Sequence, residues 1–229
     1  MQGGCNQSPF TTLADPEPKA RLERFVSRLD NYWGHYAFVF SLSSHGDLLS
    51  LWRGYSGNGA GYSIGFDFKS LSEFAAQRGM TLRPCIYERS AQVAKVQPII
   101  EMLRDGCLGQ KRSDVGAPWL SVVDAAILRI REDAPFFKHA GFSEEGEWRL
   151  LVTSYDVPDS WNVRSRANSV VPYLKVDLGR PCRLISEIFI GPGNAEKDKT
   201  SFVLINFIQK LKLTEFHGVR PSGIPFRNW

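Results

Sequence analysis

Apolar residues alternate with small or polar ones in two nearby stretches of the chain, at 36–40 and 62–68. Alternation with a period of two predicts strands, and apolar residues at successive positions of the first stretch predict burial on both of its faces. Between them, apolar residues at 48–55 predict a short helix, for which Ser44 and Asp47 resemble a capping box. The segment therefore predicts strand, short helix and strand.

Helical spacing of apolar residues recurs in five further segments. They lie at about 18–31, 69–78, from residue 90 onward, at 118–133 and at 196–213. Pro98 falls inside the third segment and is expected to kink or split that helix. The last segment is expected to lie in the core. Its apolar residues at three-residue steps are Phe202, Ile205, Ile208 and Leu211.

Strand patterns occur at 81–88, 147–154, 172–178 and 184–190, with a short one near Val219. Strands and helices are mixed without a regular alternation, which favours an α+β fold over a doubly wound sheet. We therefore expect a single domain over 1–229, with a central mixed or antiparallel sheet flanked by helices and a loop at 1–17.

The composition favours a soluble protein. With 229 residues, 43% of them hydrophobic, the chain can bury one substantial core. A net charge of +4 with interleaved acids and bases predicts only weak attraction to phosphate-bearing partners. No apolar run is long enough to cross a bilayer and the N-terminus lacks a secretory signal, so a cytoplasmic location is expected. Scattered cysteines and histidines indicate no metal site.

An acidic pattern near the strand at 147–154 is the sharpest candidate for chemistry. Residues two apart share a face of a strand, so Glu145, Glu147 and Arg149 are expected to line one side. The inward side would carry Trp148, Leu150 and Val152. A carboxylate beside an arginine stays ionised and can orient a hydroxyl or stabilise a cation. The alternative is the solvent face of an edge strand.

Arg53 and Tyr55 flank Gly54, just before a run of glycines at 57–61 that would let a ligand approach the backbone. The alternative is a helix end at which Arg53 neutralises terminal carbonyls. Because these glycines precede a strand rather than a helix, a hairpin loop explains them better than a dinucleotide-binding loop.

Four arginines lie in segments that resemble loops: Arg164, Arg166, Arg220 and Arg227. Two of them converging would bind a pyrophosphate through bidentate hydrogen bonds. The alternative for each one is a solvated side chain.

Seven short motifs occur in a fixed order from 40 to 227: FSLS, DLLSLWRGY, GYSIGF, ExEWR, VPY, EIFIGP and SGIPFR. In this order the chain resembles a bacterial family known as domain of unknown function 2971. Members of that family usually begin with a further strand and an N-D-P-x-E element. Here only residues 14–17 resemble the latter, so the resemblance implies a shortened or alternatively started member.

The chain also has a more distant likeness to ADP-ribosyltransferases, which implies NAD as the substrate. In this likeness Glu147 would stabilise the ribosyl cation and Glu145 would orient the acceptor. Arg53 or Arg166 would hold phosphate, and Tyr55 would stack on nicotinamide.

The same likeness places further residues at the site. Ser41 and Ser43 match the serine-rich strand end of ADP-ribosyltransferases, and Arg149 and Ser222 are expected to bind substrate. The family's first strand, which would contact the NAD diphosphate or ribose, is not matched, so Arg53 would have to replace it.

Three functions remain open from the sequence. The first is an ADP-ribosyltransferase-like enzyme or NAD glycohydrolase acting as a bacterial toxin or phage-defence effector. The second is a non-enzymatic module that binds a nucleotide or nucleic acid through its arginines. The third, a nuclease, is disfavoured because Asp47, Asp67 and Glu147 show no metal-site spacing. The sequence specifies neither the target nor the oligomeric state.

Overall fold

A computed structural model of the chain describes residues 20, 23, 25–27, 36–108, 117–154, 161–179, 182–211, 213 and 216–226. The predicted loop at 1–17, the motif remnant at 14–17 and Arg227 lie outside these residues. Of the predicted first helix, only residues 20, 23 and 25–27 are described, and these are helical.

The first sheet contains three antiparallel strands: β1 (Tyr36–Ser43), β3 (Thr81–Pro84) and β4 (Glu147–Ser154). Strand β4 lies in the middle, between β1 and β3. In the register of β1 and β4, Ser41 lies opposite Arg149 and Ser43 opposite Glu147. The acidic motif therefore begins at the centre of this sheet.

The second sheet contains β2 (Tyr62–Phe66), β7 (Ile185–Ile190) and β8 (Gly218–Pro221). Strand β7 is central, antiparallel to β2 and parallel to β8. Strands β5 (Trp161–Arg166) and β6 (Ser169–Leu174) form a separate two-stranded ladder. The predicted α+β class is confirmed, but the described strands form several small sheets rather than one central sheet.

Five helices complete the described fold: α1 (Leu49–Tyr55), α2 (Phe68–Gln77), α3 (Arg89–Leu108), α4 (Ala117–Asp133) and α5 (Lys197–Leu211). Helices α3 and α4 pack against each other around one apolar cluster. Its buried members are Phe25, Ile99, Leu103, Val123, Ala126 and Ile127. Pro98 is predicted to kink or split α3, and the helix is continuous through it, so the split does not occur.

Two glycine-rich loops pack directly against each other. The Gly191 N–H donates to the Gly61 carbonyl at 2.8 Å, and the Gly193 N–H donates to the Gly59 carbonyl at 2.9 Å. A Cβ on Gly191 would overlap the Gly59 carbonyl oxygen, so this contact requires glycine. The loop at 57–61 connects a helix to a strand, so the predicted hairpin loop is wrong.

Periodicity overestimated burial in two elements. Strand β1 is an edge strand, and its Phe40 side chain is 52% exposed, so the predicted burial on both faces is wrong. In α5, only Ile208 is buried among the described residues, whereas Phe202 is 70% exposed. Periodicity identifies the apolar face of an element, but burial also requires another element to cover that face.

We expect Gly191→Ala to destabilise the fold by about 2 kcal/mol or more, because the added methyl group has to displace backbone rather than a side chain. The free energy of unfolding, from urea titration, checks this prediction. Gly54→Ala is the matched control. Nothing lies within 4 Å of its Cβ position on α1, so it should stabilise the helix by up to about 1 kcal/mol. Equal stability of the two variants would contradict the close loop contact.

Candidate functional site

A cleft of about 360 Å³ lies between the end of β1, helix α1 and the start of β2. It forms where the edge strands of the two sheets approach each other. There the rings of Phe40 and Phe66 pack edge to face, with their centroids 6.2 Å apart. Four serines line the cleft: Ser41, Ser43, Ser56 and Ser63. Aromatic side chains, two carboxylates and one imidazole complete the polar lining: Trp52, Tyr55, Tyr62, Glu145, Glu147 and His45.

Glu147 is the buried acid of this cleft, with only 5% of its surface exposed. Its Oε1 accepts a hydrogen bond from Arg149 Nε at 2.8 Å, and its Oε2 accepts one from Lys138 Nζ at 2.5 Å. Its backbone N–H donates to the Tyr87 hydroxyl at 2.7 Å. Strand β4 is central and Glu147 is buried, so the alternative of a solvent-facing edge strand is wrong.

These partners keep the carboxylate ionised. Burial alone would raise the pKa of Glu147, but hydrogen bonds from Arg149, Lys138 and Ser41 outweigh it and lower the pKa to about 2. For Lys138, burial would lower the pKa, and its hydrogen bonds to Glu145 and Glu147 raise it instead. At neutral pH, Glu147 therefore carries a fixed negative charge and Lys138 a fixed positive charge.

Two further side chains beside Glu147 stay neutral. Burial raises the pKa of the Cys85 thiol, and the nearby charge of Glu147 raises it further. Burial also raises the pKa of Tyr87. Both groups therefore keep their protons, which leaves the negative charge on the carboxylates.

Glu145 occupies a different backbone environment from the one predicted. It ends a 3₁₀ helix, Ala140–Glu145, and β4 begins only at Glu147, so its predicted place on the strand is wrong. The cause is Gly146, whose φ of 50° is left-handed and breaks the extended chain. The Glu145 carboxylate nevertheless turns toward Glu147, since Lys138 Nζ contacts it at 2.5 Å.

Asp47 connects the cleft to the C-terminal segment. Its Oδ1 accepts hydrogen bonds from Trp52 Nε1 and Ser222 Oγ, both at 2.6 Å, and its Oδ2 accepts one from the Gly223 N–H at 3.2 Å. The N-cap of α1 is Leu48, with no side-chain cap, so the predicted capping box is wrong. Asp47 instead holds the buried Trp52 ring in the cleft wall.

The cleft brings together five of the predicted site residues: Ser41, Ser43, Tyr55, Glu145 and Glu147. Arg149 is bonded to Glu147, and it also donates to the Pro135 carbonyl. Neither Arg149 nor Lys138 is among the residues that line the cleft. Glu145 and Glu147 therefore line the cleft, whereas their cationic partners do not.

The other predicted residues lie outside the cleft lining. Arg53 lines an adjoining depression of about 640 Å³ that shares Leu48 with the cleft. Arg166 lies on β5, and its exposed side chain belongs to the separate two-stranded ladder. Arg164 and Arg166 lie on β5 and Arg220 lies on β8, so the loops predicted for these three arginines are wrong. Ser222 is buried against Asp47.

Sequence reasoning missed two residues of the site. Lys138 precedes the acids in an irregular segment, where no periodic pattern links it to them. His45 follows the serine-rich end of β1, and only its place two residues after Ser43 could have indicated it. Both are brought to the site by the turns that surround Gly146.

A family model described as "Protein of unknown function (DUF2971)" matches residues 51–150. This span is less than half of the chain. It includes Tyr55, Glu145 and Glu147, whereas the motifs VPY, EIFIGP and SGIPFR lie outside it. The match supports the resemblance to this unknown-function family. No curated protein and no solved structure matches the chain.

No described helix is both long enough and apolar enough to span a bilayer. Within the same part of the chain, no group of three or more His, Cys, Asp or Glu side chains could hold a metal ion.

The charge on Glu147 should make stability depend on pH. Its pKa is lowered from 4.5 to about 2, so its contribution is present above about pH 4.5 and is lost as the pH falls toward 2. We expect the stability gap between the wild type and Glu147→Gln to narrow over this window, as measured by urea unfolding. Glu101→Gln, exposed on α3, is the control and should show a constant gap. A constant gap for Glu147→Gln would contradict the ion-pair network.

Ser222→Ala tests whether Ser222 acts structurally. It removes the hydrogen bond to the Asp47 carboxylate and the one that Ser222 Oγ accepts from the Ile224 N–H, so we expect a loss of about 2 kcal/mol in unfolding free energy. Because Ser222 does not line the cleft, the affinity of the cleft for NAD should change little. Calorimetric titration of the folded variant with NAD measures this affinity. A large loss of affinity at unchanged stability would instead assign Ser222 to binding.

Proposed function

We propose that this chain cleaves the nicotinamide–ribose bond of NAD, as an ADP-ribosyltransferase-like enzyme or NAD glycohydrolase. The observation that carries the proposal is the buried, ionised Glu147 at the wall of a cleft lined by hydroxyl and aromatic groups. Cleavage of this bond develops positive charge at C1′ of the ribose. A fixed carboxylate beside that carbon lowers the barrier.

The orientation of the ion pairs supports this role. Glu145 and Glu147 line the cleft, whereas Lys138 and Arg149, which pair with them, do not. A cation that forms in the cleft would therefore lie closer to the carboxylates than to the two cations. Since Coulomb energy falls with distance, the net field at that point stabilises positive charge.

The size of the cleft suits one half of a dinucleotide. Its volume of about 360 Å³ is near the lower end of small-molecule sites, which start at about 300 Å³. Tyr55 and Tyr62 are more than half exposed, so their rings are free to stack on a flat heterocycle. The diphosphate would extend into the adjoining depression, where Arg53 can bind it.

Glu145 has a second role in the proposal. Its carboxylate lies on the same cleft, so it would orient the group that accepts the ribosyl unit, either water or a hydroxyl of a target. An effector role in bacterial conflict, as a toxin or phage-defence protein, belongs to the same proposal and rests on the likeness to ADP-ribosyltransferases alone.

A specific observation favours a second candidate, a nucleotide-binding module without catalysis. Both oxygens of Glu147 already accept hydrogen bonds from cations, as they would in a purely structural ion pair. In that case the cleft would bind a nucleoside without breaking a bond.

The test is nicotinamide release from NAD by the purified chain, followed by chromatography. We expect turnover by the wild type and a loss of about a hundredfold or more in Glu147→Gln, because the charge at C1′ is no longer stabilised. Glu101→Gln is the matched control, with the same change at an exposed position, and should keep full activity. Tyr55→Ala removes an exposed ring, so it should fold normally and raise KM.

Folding of Glu147→Gln is checked by circular dichroism. If it unfolds, Tyr55→Ala decides the question. If the wild type binds NAD but releases no nicotinamide, the proposed enzymatic function is wrong and the nucleotide-binding module is favoured. If the wild type neither binds NAD nor releases nicotinamide, both candidates are wrong.

A further inference from the structure

This inference rests on the proposed reaction, which releases one proton that a side chain of the cleft has to accept. When water or a target hydroxyl attacks C1′, its oxygen must lose a proton. Glu147 is a poor acceptor for it, because Arg149 and Lys138 already donate to its two oxygens. Glu145 accepts a hydrogen bond from Lys138 through Oε2. The geometry therefore reserves Glu147 for electrostatics, and Glu145 keeps the orienting role that the proposed reaction gives it.

The rest of the described cleft lining offers few bases. Its hydroxyl groups belong to serine and tyrosine side chains, and the indole of Trp52 is a donor, already hydrogen-bonded to Asp47. An imidazole is the side chain that accepts and releases protons between about pH 5 and 8. In the described lining, His45 supplies it.

The backbone holds His45 at the acidic side of the cleft. Its N–H donates to Ser43 Oγ at 2.9 Å, and Ser43 Oγ donates to the Glu145 carbonyl at 2.7 Å. The imidazole lies against Gly146, where a Cβ would be 3.1 Å from Nε2. The glycine between the two acids therefore leaves space for this ring.

We propose that His45 is the general base of the reaction, a catalytic residue separate from the two carboxylates. As the acceptor oxygen bonds to C1′, the electron pair of the C1′–N bond leaves with neutral nicotinamide. The proton of the acceptor passes to a ring nitrogen of His45 and then to solvent. With water as the acceptor, NAD gives ADP-ribose, nicotinamide and one proton.

The described groups around His45 include three carboxylates and two cations. The titratable groups of the described cleft, with the two cations paired to them and Asp47 of the adjoining loop, are Asp47, Tyr55, Tyr62, Lys138, Glu145, Glu147 and Arg149. Two carboxylates pair with two cations, so loss of activity at low pH would report the histidine rather than breakage of these pairs.

The experiment measures nicotinamide release from NAD between about pH 5 and 9. The wild-type rate should fall as the pH drops and the imidazole becomes protonated. His45→Gln should lose about a hundredfold or more and lack this acid limb. Added imidazole should restore part of the rate to His45→Ala, because the missing ring leaves space for a free base. His217→Gln replaces an exposed histidine outside the cleft and should keep the wild-type profile.

Each outcome decides the proposal. A His45→Gln profile equal to the wild type overturns the role of His45 and leaves the proposed function intact. If the rate falls by the same factor at every pH and imidazole gives no rescue, His45 has a structural role. Absence of release from the wild type overturns both proposals. If His45→Gln misfolds by circular dichroism, His45→Asn replaces it, with the same readouts.

Discussion

The structure around the cleft depends on burying one carboxylate. An ionised acid removed from water costs several kcal/mol unless charges and hydrogen bonds replace its hydration. Glu147 meets this requirement through Lys138 from one segment, Arg149 from its own strand and Ser41 from β1. Because these partners come from three parts of the chain, ordering the carboxylate also orders the cleft wall.

The sequence predicted the elements well where apolar periodicity was strong. Strand β4, helix α4 and the α+β class were predicted with nearly the observed bounds, and the acidic pair was recognised as unusual. It did not predict the partners of those acids. Ser43 bonds to a residue 102 positions away, and Lys138 reaches the acids across an irregular turn. Neither relation has a period that a pattern can detect.

Local signals failed where a distant partner competed for the same side chain. Ser44 and Asp47 have the spacing of a capping box, but the Asp47 carboxylate accepts from Trp52 and from Ser222, 175 residues away. Each hydrogen bond to a charged acceptor is worth about 1.5–3 kcal/mol, whereas an N-cap contributes about 1 kcal/mol. The tertiary contacts therefore outweigh the local cap.

The ion pairs also set a limit on the chemistry. The cations that keep Glu147 charged make it a weak base, since a carboxylate with a pKa of about 2 holds almost no protons at neutral pH. Fixed negative charge and proton acceptance are therefore incompatible in the same group here. A reaction in this cleft that both develops a cation and releases a proton needs two separate side chains. The glycine turn at Gly146 brings both into one wall, with the Glu147 carboxylate on its strand side and the imidazole of His45 against its open Cα.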